Sequence, residues 1–79
     1  MAEITFKIKE HLLVLSVGIR GWTKEVNVVS WNNRKPKLDI REWDETHEKM
    51  GKGITLNKEE LEKLKDFLNN TNFEELEID

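Results

Sequence analysis

The chain has 79 residues, of which 37% are hydrophobic and another 37% charged, with no cysteine and a formal net charge of -3. At about half the roughly 150 residues of a typical domain, it reads as one domain spanning 1–79, with no second lobe to close a deep catalytic cleft. Without cysteine it has no thiolate zinc site, disulfide scaffold or thiol nucleophile. The longest aliphatic run, Leu12 to Leu15, is too short to span a bilayer, and Met1-Ala2-Glu3 lacks the basic start of a signal peptide. A soluble cytoplasmic protein is expected.

So little apolar sequence supports only a thin core, which favours one sheet layer with one helix, and chains of this size rarely gain more than about 3–5 kcal/mol from a single core. Dimerisation is therefore expected. Charge is unevenly spread: residues 1–56 carry ten Lys+Arg against eight Asp+Glu, and residues 57–79 carry three against eight. A mildly basic body with an acidic end can still present one positive face, because exposed charges separated by more than a Debye length of about 8 Å are largely screened.

From Ile4 to Leu15 the alternation of Ile4, Phe6 and Ile8 with Thr5, Lys7 and Lys9 predicts a first strand. Its alternation breaks around Glu10 and His11, the mark of a bulge. Gly18 and Gly21 bracket a turn. A second strand is predicted over Trp22–Trp31, with Val26 and Val28 on one face and Asn27, Val29 and Trp31 on the other; apolar residues on both faces leave its register open. After a polar loop containing Pro36, a third strand runs Lys37–Trp43, with Leu38 and Ile40 facing one way and Asp39, Arg41 and Trp43 the other. A charged loop, Asp44–Gly51, precedes a short strand at Gly53–Leu56. Asn57 and Glu60 have the spacing of a capping box, and Leu61, Leu64, Phe67 and Leu68 recur at helical spacing to about Asn69. The acidic tail, 71–79, carries Phe73, Leu76 and Ile78 without a readable period.

Enzyme readings find no support. His47 beside Asp44, Glu45 and Glu48 lacks helical metal-ligand spacing, so no metal is expected, and His11 reads as a surface or bulge residue. Gly51-Lys52-Gly53-Ile54-Thr55 lacks the order of a phosphate-binding loop. Ser16 and Ser30 have no base nearby in sequence. No cofactor and no small-molecule substrate are implied. The tryptophans are more informative: Trp22, Trp31 and Trp43 lie among Lys24, Arg34, Lys35, Lys37, Arg41, Lys49 and Lys52. Unpaired bases stack on indole for about 1–3 kcal/mol each while phosphates pair with the cations, so this interleaving fits single-stranded nucleic acid. Packing in a core or interface is the alternative, with even odds for Trp22. Trp43, opposite in parity to Leu38 and Ile40, is expected to stand exposed; Asp39 is expected to pair with Arg41.

Asp39-Ile40-Arg41-Glu42-Trp43, then Glu48-Lys49-Met50-Gly51-Lys52-Gly53-Ile54-Thr55-Leu56-Asn57 and the helix resemble the DNA-binding domain of the transcriptional coactivator positive cofactor four. The resemblance is greatest to its short bacterial branch, and it extends upstream through Gly21-Trp22, Lys24-Glu25, Val29-Ser30-Trp31-Asn32 and Pro36-Lys37, covering roughly residues 21–68. It implies an α+β fold: a curved four-stranded antiparallel sheet followed by one C-terminal helix, β-β-β-β-α, forming a homodimer. It further implies non-enzymatic binding of single-stranded DNA with little sequence preference, in transcription regulation, replication or repair, and a nucleoid association if the source is bacterial. Carried over by position, Trp31 and Trp43 would stack on bases, and Arg41, Lys49 and Lys52 would hold phosphates with Arg34, Lys35 and Lys37. The helix residues Leu61, Leu64, Phe67 and Leu68 would form the dimer interface. The competing readings are a protein-interaction module built on exposed tryptophans, and single-stranded RNA binding.

Overall fold

The computed structural model describes residues 4–79, so the reading of Met1-Ala2-Glu3 lies outside the described residues. Four strands, β1 (Phe6–Val17), β2 (Thr23–Trp31), β3 (Lys37–Trp43) and β4 (Met50–Leu56), are followed by one helix, α1 (Lys58–Asn69). Every neighbouring pair is antiparallel, and the strands lie in sequence order in one open sheet. This is the expected β-β-β-β-α arrangement. The strand at 53–56 is longer than expected, beginning at Met50, because Met50 pairs with Trp43 across a bulge. In the tail a short 3-10 turn covers Phe73–Glu75, with the Asn72 side chain capping Glu74. Among the described residues no helix is long and apolar enough to cross a membrane.

Local chemistry accounts for the punctuation. The Trp31 carbonyl accepts from Arg34 N–H at 2.9 Å across Asn32 and Asn33, whose φ values are +49° and +62°. That is a type I′ turn, and asparagine is among the few residues that enter the left-handed region readily. Asn57 opens α1 as predicted: its Oδ1 accepts from Glu60 N–H at 2.8 Å, and Glu60 Oε1 accepts from Asn57 N–H at 2.9 Å.

The register puts one apolar row across all four strands, Leu13–Val26–Ile40–Ile54, with Val28, Leu38 and Leu56 beside it. The other face carries two polar rows, His11–Asn27–Asp39–Thr55 and Val14–Glu25–Arg41–Gly53. The core does not sit where the apolar row would place it. The buried residues Val29, Trp43, Asn27, Asp39 and Glu25 all belong to the second face, while Leu13 and Ile54 remain 53% and 54% exposed.

Coiling of the sheet explains this inversion. Phe6 lies opposite Trp31 and Trp43 opposite Thr23, eight positions apart along β2, or roughly 26 Å in a flat sheet. Their rings nevertheless meet at 5.1 Å between centroids. Twist, strengthened by the three register shifts in β1, folds these diagonal corners together over the second face. The expectation that Trp43 stands exposed is therefore corrected. Its parity is as read, away from Leu38 and Ile40, but it is fully buried against Phe6 and, at 5.8 Å, His47.

Candidate nucleic-acid interface

A groove of about 550 Å³ opens on the coiled face, where the ends of β2 and β3 and the loop between them converge. Trp31 lines it; Arg34, closing the type I′ turn, and Lys35 after it come from the β2–β3 loop, and Lys37 and Arg41 from alternate positions of β3. Ile4, Asn32, Met50 and Thr55 complete the lining. The turn is anchored to β1: Thr5 N–H donates to Asn32 Oδ1 at 2.9 Å, and Asn32 N–H to the Thr5 carbonyl at 2.8 Å. Ser30 Oγ donates to the Arg34 carbonyl at 2.7 Å. Arg34 and Lys35 thus project from a fixed backbone, and both are exposed.

Arg41 is held more tightly than the lysines. Its Nε and Nη2 donate to the two carboxylate oxygens of Asp39 at 2.6 and 2.8 Å, and Nη1 reaches the Gly51 carbonyl at 3.4 Å. Asp39 is fully buried and the Arg41 side chain 13% exposed. The guanidinium carbon lies 4.6 Å from the centre of the Trp31 ring, a cation–π contact that fixes the half-buried indole from one side. The expected Asp39–Arg41 pair is therefore present, and it orients a cation against an aromatic ring. Space for it depends on Gly53, the cross-strand partner of Arg41: a Cβ there would come within 2.3 Å of Arg41 Cβ and 2.5 Å of the Ile40 carbonyl oxygen.

Of the residues singled out by sequence, the structure gathers Trp31, Arg34, Lys35, Lys37 and Arg41 around the groove. It places Trp43 beneath the surface, Lys49 exposed in the loop before β4, and Lys52, expected in that loop, exposed within β4 because the strand begins at Met50; both lysines lie outside the groove lining. Trp22 is half-buried at the turn before β2. Leu64, Phe67 and Leu68 of α1 are 37%, 51% and 45% exposed, with Leu61 half-buried, so the helix presents an apolar stripe that this chain does not cover.

Sequence reasoning missed a second polar centre on the same face. The Glu25 side chain, 3% exposed, accepts from Thr23 Oγ, from Asn27 Nδ2 at 3.1 Å and from His47 Nε2 at 3.0 Å to each oxygen. His11 Nδ1 lies 3.3 Å from Glu25 Oε1 and 2.6 Å from Asn27 Oδ1. Burial opposes ionisation of Glu25, but the hydrogen bonds from Thr23, Asn27 and His47, together with the His47 charge, hold its carboxyl below the ordinary value. Thr23, Glu25 and Asn27 at i, i+2 and i+4 of one strand were the available signal, since such residues share a face. His11 is, as read, an exposed residue at a bulge of β1, and the β3–β4 loop brings His47 to the same carboxylate, a convergence that spacing along the chain does not show.

Fold and site together define a small single-sheet domain with one basic, aromatic face. Residues 19–67 match the family described as Transcriptional Coactivator p15 (PC4), and the chain belongs to that family, which is known for single-stranded DNA binding and transcription coactivation and is generally non-enzymatic. An uncharacterized protein of Treponema pallidum (strain Nichols) is 39% identical over 67 residues, covering 85% of this chain and 79% of the relative, which fits a bacterial branch.

Proposed function

We propose that this chain is a non-enzymatic single-stranded-DNA-binding protein that acts as a homodimer in transcription regulation, replication or repair. The observation that carries the reading is the groove: a half-buried indole backed by Arg41, with Arg34, Lys35 and Lys37 at its edge. An unpaired base stacks on Trp31 while the neighbouring phosphates meet the three exposed cations. Lys49, in the loop before β4, and Lys52, within β4, add two exposed cations beyond the groove. Duplex DNA is disfavoured, since its bases are already stacked on one another and cannot reach the indole.

The homodimer rests on the open apolar face. Leu13, Ile54 and the α1 stripe of Leu64, Phe67 and Leu68 carry too much exposed hydrocarbon for a stable lone chain with so few buried apolar residues. Light scattering at micromolar concentration should give twice the chain mass; a stable monomer mass refutes the dimer.

Titration with matched oligo-dT, oligo-U and duplex, followed by tryptophan fluorescence, tests the binding function. Oligo-dT is expected to quench emission and to bind more tightly than duplex, with affinity falling linearly in log[salt] as counterions are released. Equal affinity for duplex refutes the stacking platform. Salt-insensitive binding to a protein partner, with no response to oligo-dT, would favour the interaction-module reading.

A further inference from the structure

The only two histidines of the chain converge on Glu25, which among the described residues is the one buried carboxylate with no lysine or arginine partner. Arg41 stands directly opposite Glu25 across β2 and β3, yet its guanidinium is committed to Asp39. Glu25 instead takes His47 from the loop between β3 and β4, and His11 from β1, the latter relayed through the Asn27 amide. The charged groups facing this centre are therefore His11 on β1, Arg41 on β3, and Asp44, Glu45 and His47 on the loop, around a depression of about 520 Å³.

His47 is the loop's link to the sheet. Its φ is +58°, which costs energy for a residue with a Cβ, so contacts elsewhere must hold it. Its own N–H donates to the Asp44 carbonyl at 3.1 Å, and Asp44 Oδ1 accepts from the Glu48 and Lys49 N–H groups at 3.0 and 3.1 Å. Position 47 thus ties Glu25, through Asp44, to the backbone of Lys49. An ionised carboxylate only accepts, so Nε2 of His47 carries a proton already, as does Nδ1 of His11 facing Asn27 Oδ1. Each ring can take a second proton on its other nitrogen without breaking the hydrogen bond it makes now. With both rings neutral the two histidines and Glu25 carry one negative charge; with both protonated they carry one positive charge.

We propose that His11, Glu25 and His47 form a proton-operated clamp that positions the Lys49 segment and raises affinity for a polyanionic strand as pH falls. The proposal rests on the nucleic-acid function above, and deepens it by adding proton control at residues outside the groove. Imidazole is the side chain that ordinarily changes charge between pH 5 and 8, and Asp44, held below its ordinary carboxyl value by the N–H groups of Lys49 and Glu48 and the Thr46 hydroxyl, stays ionised across that range.

The test has two arms. In the first, oligo-dT affinity is measured from pH 8 to pH 6 at fixed ionic strength, for wild type, His47→Gln and the double variant His11→Asn, His47→Gln. Gln and Asn keep the present donor nitrogens and remove the titration. Wild-type affinity is expected to rise by up to about tenfold per pH unit for each proton taken up on binding. The single variant should halve that dependence and the double variant abolish it, while both still bind at pH 8. A flat wild-type profile, or a slope retained in the double variant, overturns the clamp.

The second arm uses no DNA. NMR titration of the free protein should show the Lys49 amide shifting with the same midpoint as the His47 ring, and the coupling should vanish in Glu25→Gln or, should that variant fail to fold, in His47→Gln. If oligo-dT fails to bind at any pH, the function reading fails, and this arm alone decides the clamp: a Lys49 amide that ignores His47 protonation refutes it.

Discussion

Trp43 and Trp31 share one face, the first fully buried and the second half-buried at the groove, and truncating each to alanine tests them separately. Trp43 is fully buried between Phe6 and His47, so Trp43→Ala removes a complete indole from the point where the sheet's diagonal corners meet. Aromatic-to-alanine changes in a core cost about 3–5 kcal/mol. A chain this small holds about 3–5 kcal/mol in total, so the variant is expected to be largely unfolded, with loss of cooperative urea unfolding and of the strand signal in circular dichroism. Trp31→Ala removes a half-buried ring whose neighbours, Phe6 at 5.7 Å and Arg41, stay held by Trp43 and Asp39. It should fold, and should lose about 1–3 kcal/mol of oligo-dT affinity at every salt concentration, with an unchanged slope of log K against log[salt]. The coiled-sheet argument is refuted if Trp43→Ala folds like wild type. Loss of quenching by oligo-dT with Trp43→Ala folded, and its retention with Trp31→Ala, would reverse the assignment.

The salt slope identifies the phosphate contacts: Lys35→Ala should reduce the steepness of log K against log[salt] by about 0.7, the single-strand value per neutralised phosphate, whereas loss of affinity at constant slope would exclude a phosphate contact. Gly53→Ala forces a methyl against Arg41 and the Ile40 carbonyl, so overpacking of about 1–3 kcal/mol is expected in urea unfolding, together with weakened binding as Arg41 leaves Trp31; wild-type stability would contradict the packing. Glu25 and Asp44 are both held below their ordinary carboxyl values. Their contributions are therefore complete above the unfolded-state values and are lost as pH falls through the folded ones, so urea midpoints should hold above about pH 5 and drop below about pH 4, and Glu25→Gln should flatten that drop. Leu64→Asp sets a carboxylate in the proposed dimer interface and should yield monomer or unfolded chain by light scattering, while an intact folded dimer would place the interface elsewhere.

How far the sequence could be read follows from which features are local. β3 and the α1 cap were legible because strict alternation from Lys37 to Trp43 and the Asn57–Glu60 spacing each sit within a few residues. The fold class was legible through family resemblance, whose pattern fills most of the strand half. The early start of β4 was not, since Met50-Gly51-Lys52 has neither β-branching nor alternation, and only its pairing with Trp43 makes it strand. Burial of Trp43 was misread because parity tells which face a side chain takes, while coiling of the whole sheet decides which face is closed. The Glu25 centre joins positions 11, 25, 27 and 47, whose separations match no short motif. The Asp39–Arg41 pair was legible as two charges at i and i+2 of one strand.

The carboxylates and guanidinium packed beside Trp43 and Val29 are a poor source of stability, since removing such groups from water offsets most of what their attraction returns. What they supply is orientation. Asp39 fixes both ends of the Arg41 fork, so the guanidinium cannot swing away from Trp31, and Glu25 fixes His47 beside Trp43. Trp31 and Arg41 are therefore ordered in advance, whereas the exposed side chains of Arg34, Lys35 and Lys37 keep their rotamer freedom. Packed hydrocarbon on this face is chiefly Trp43, Phe6 and Val29, and much of the rest lies on the opposite face, in the row Leu13–Val26–Ile40–Ile54, whose two end residues are more than half exposed in the lone chain. The homodimer proposed above, with a second copy over that row, would bury this hydrocarbon while leaving the aromatic, basic face open.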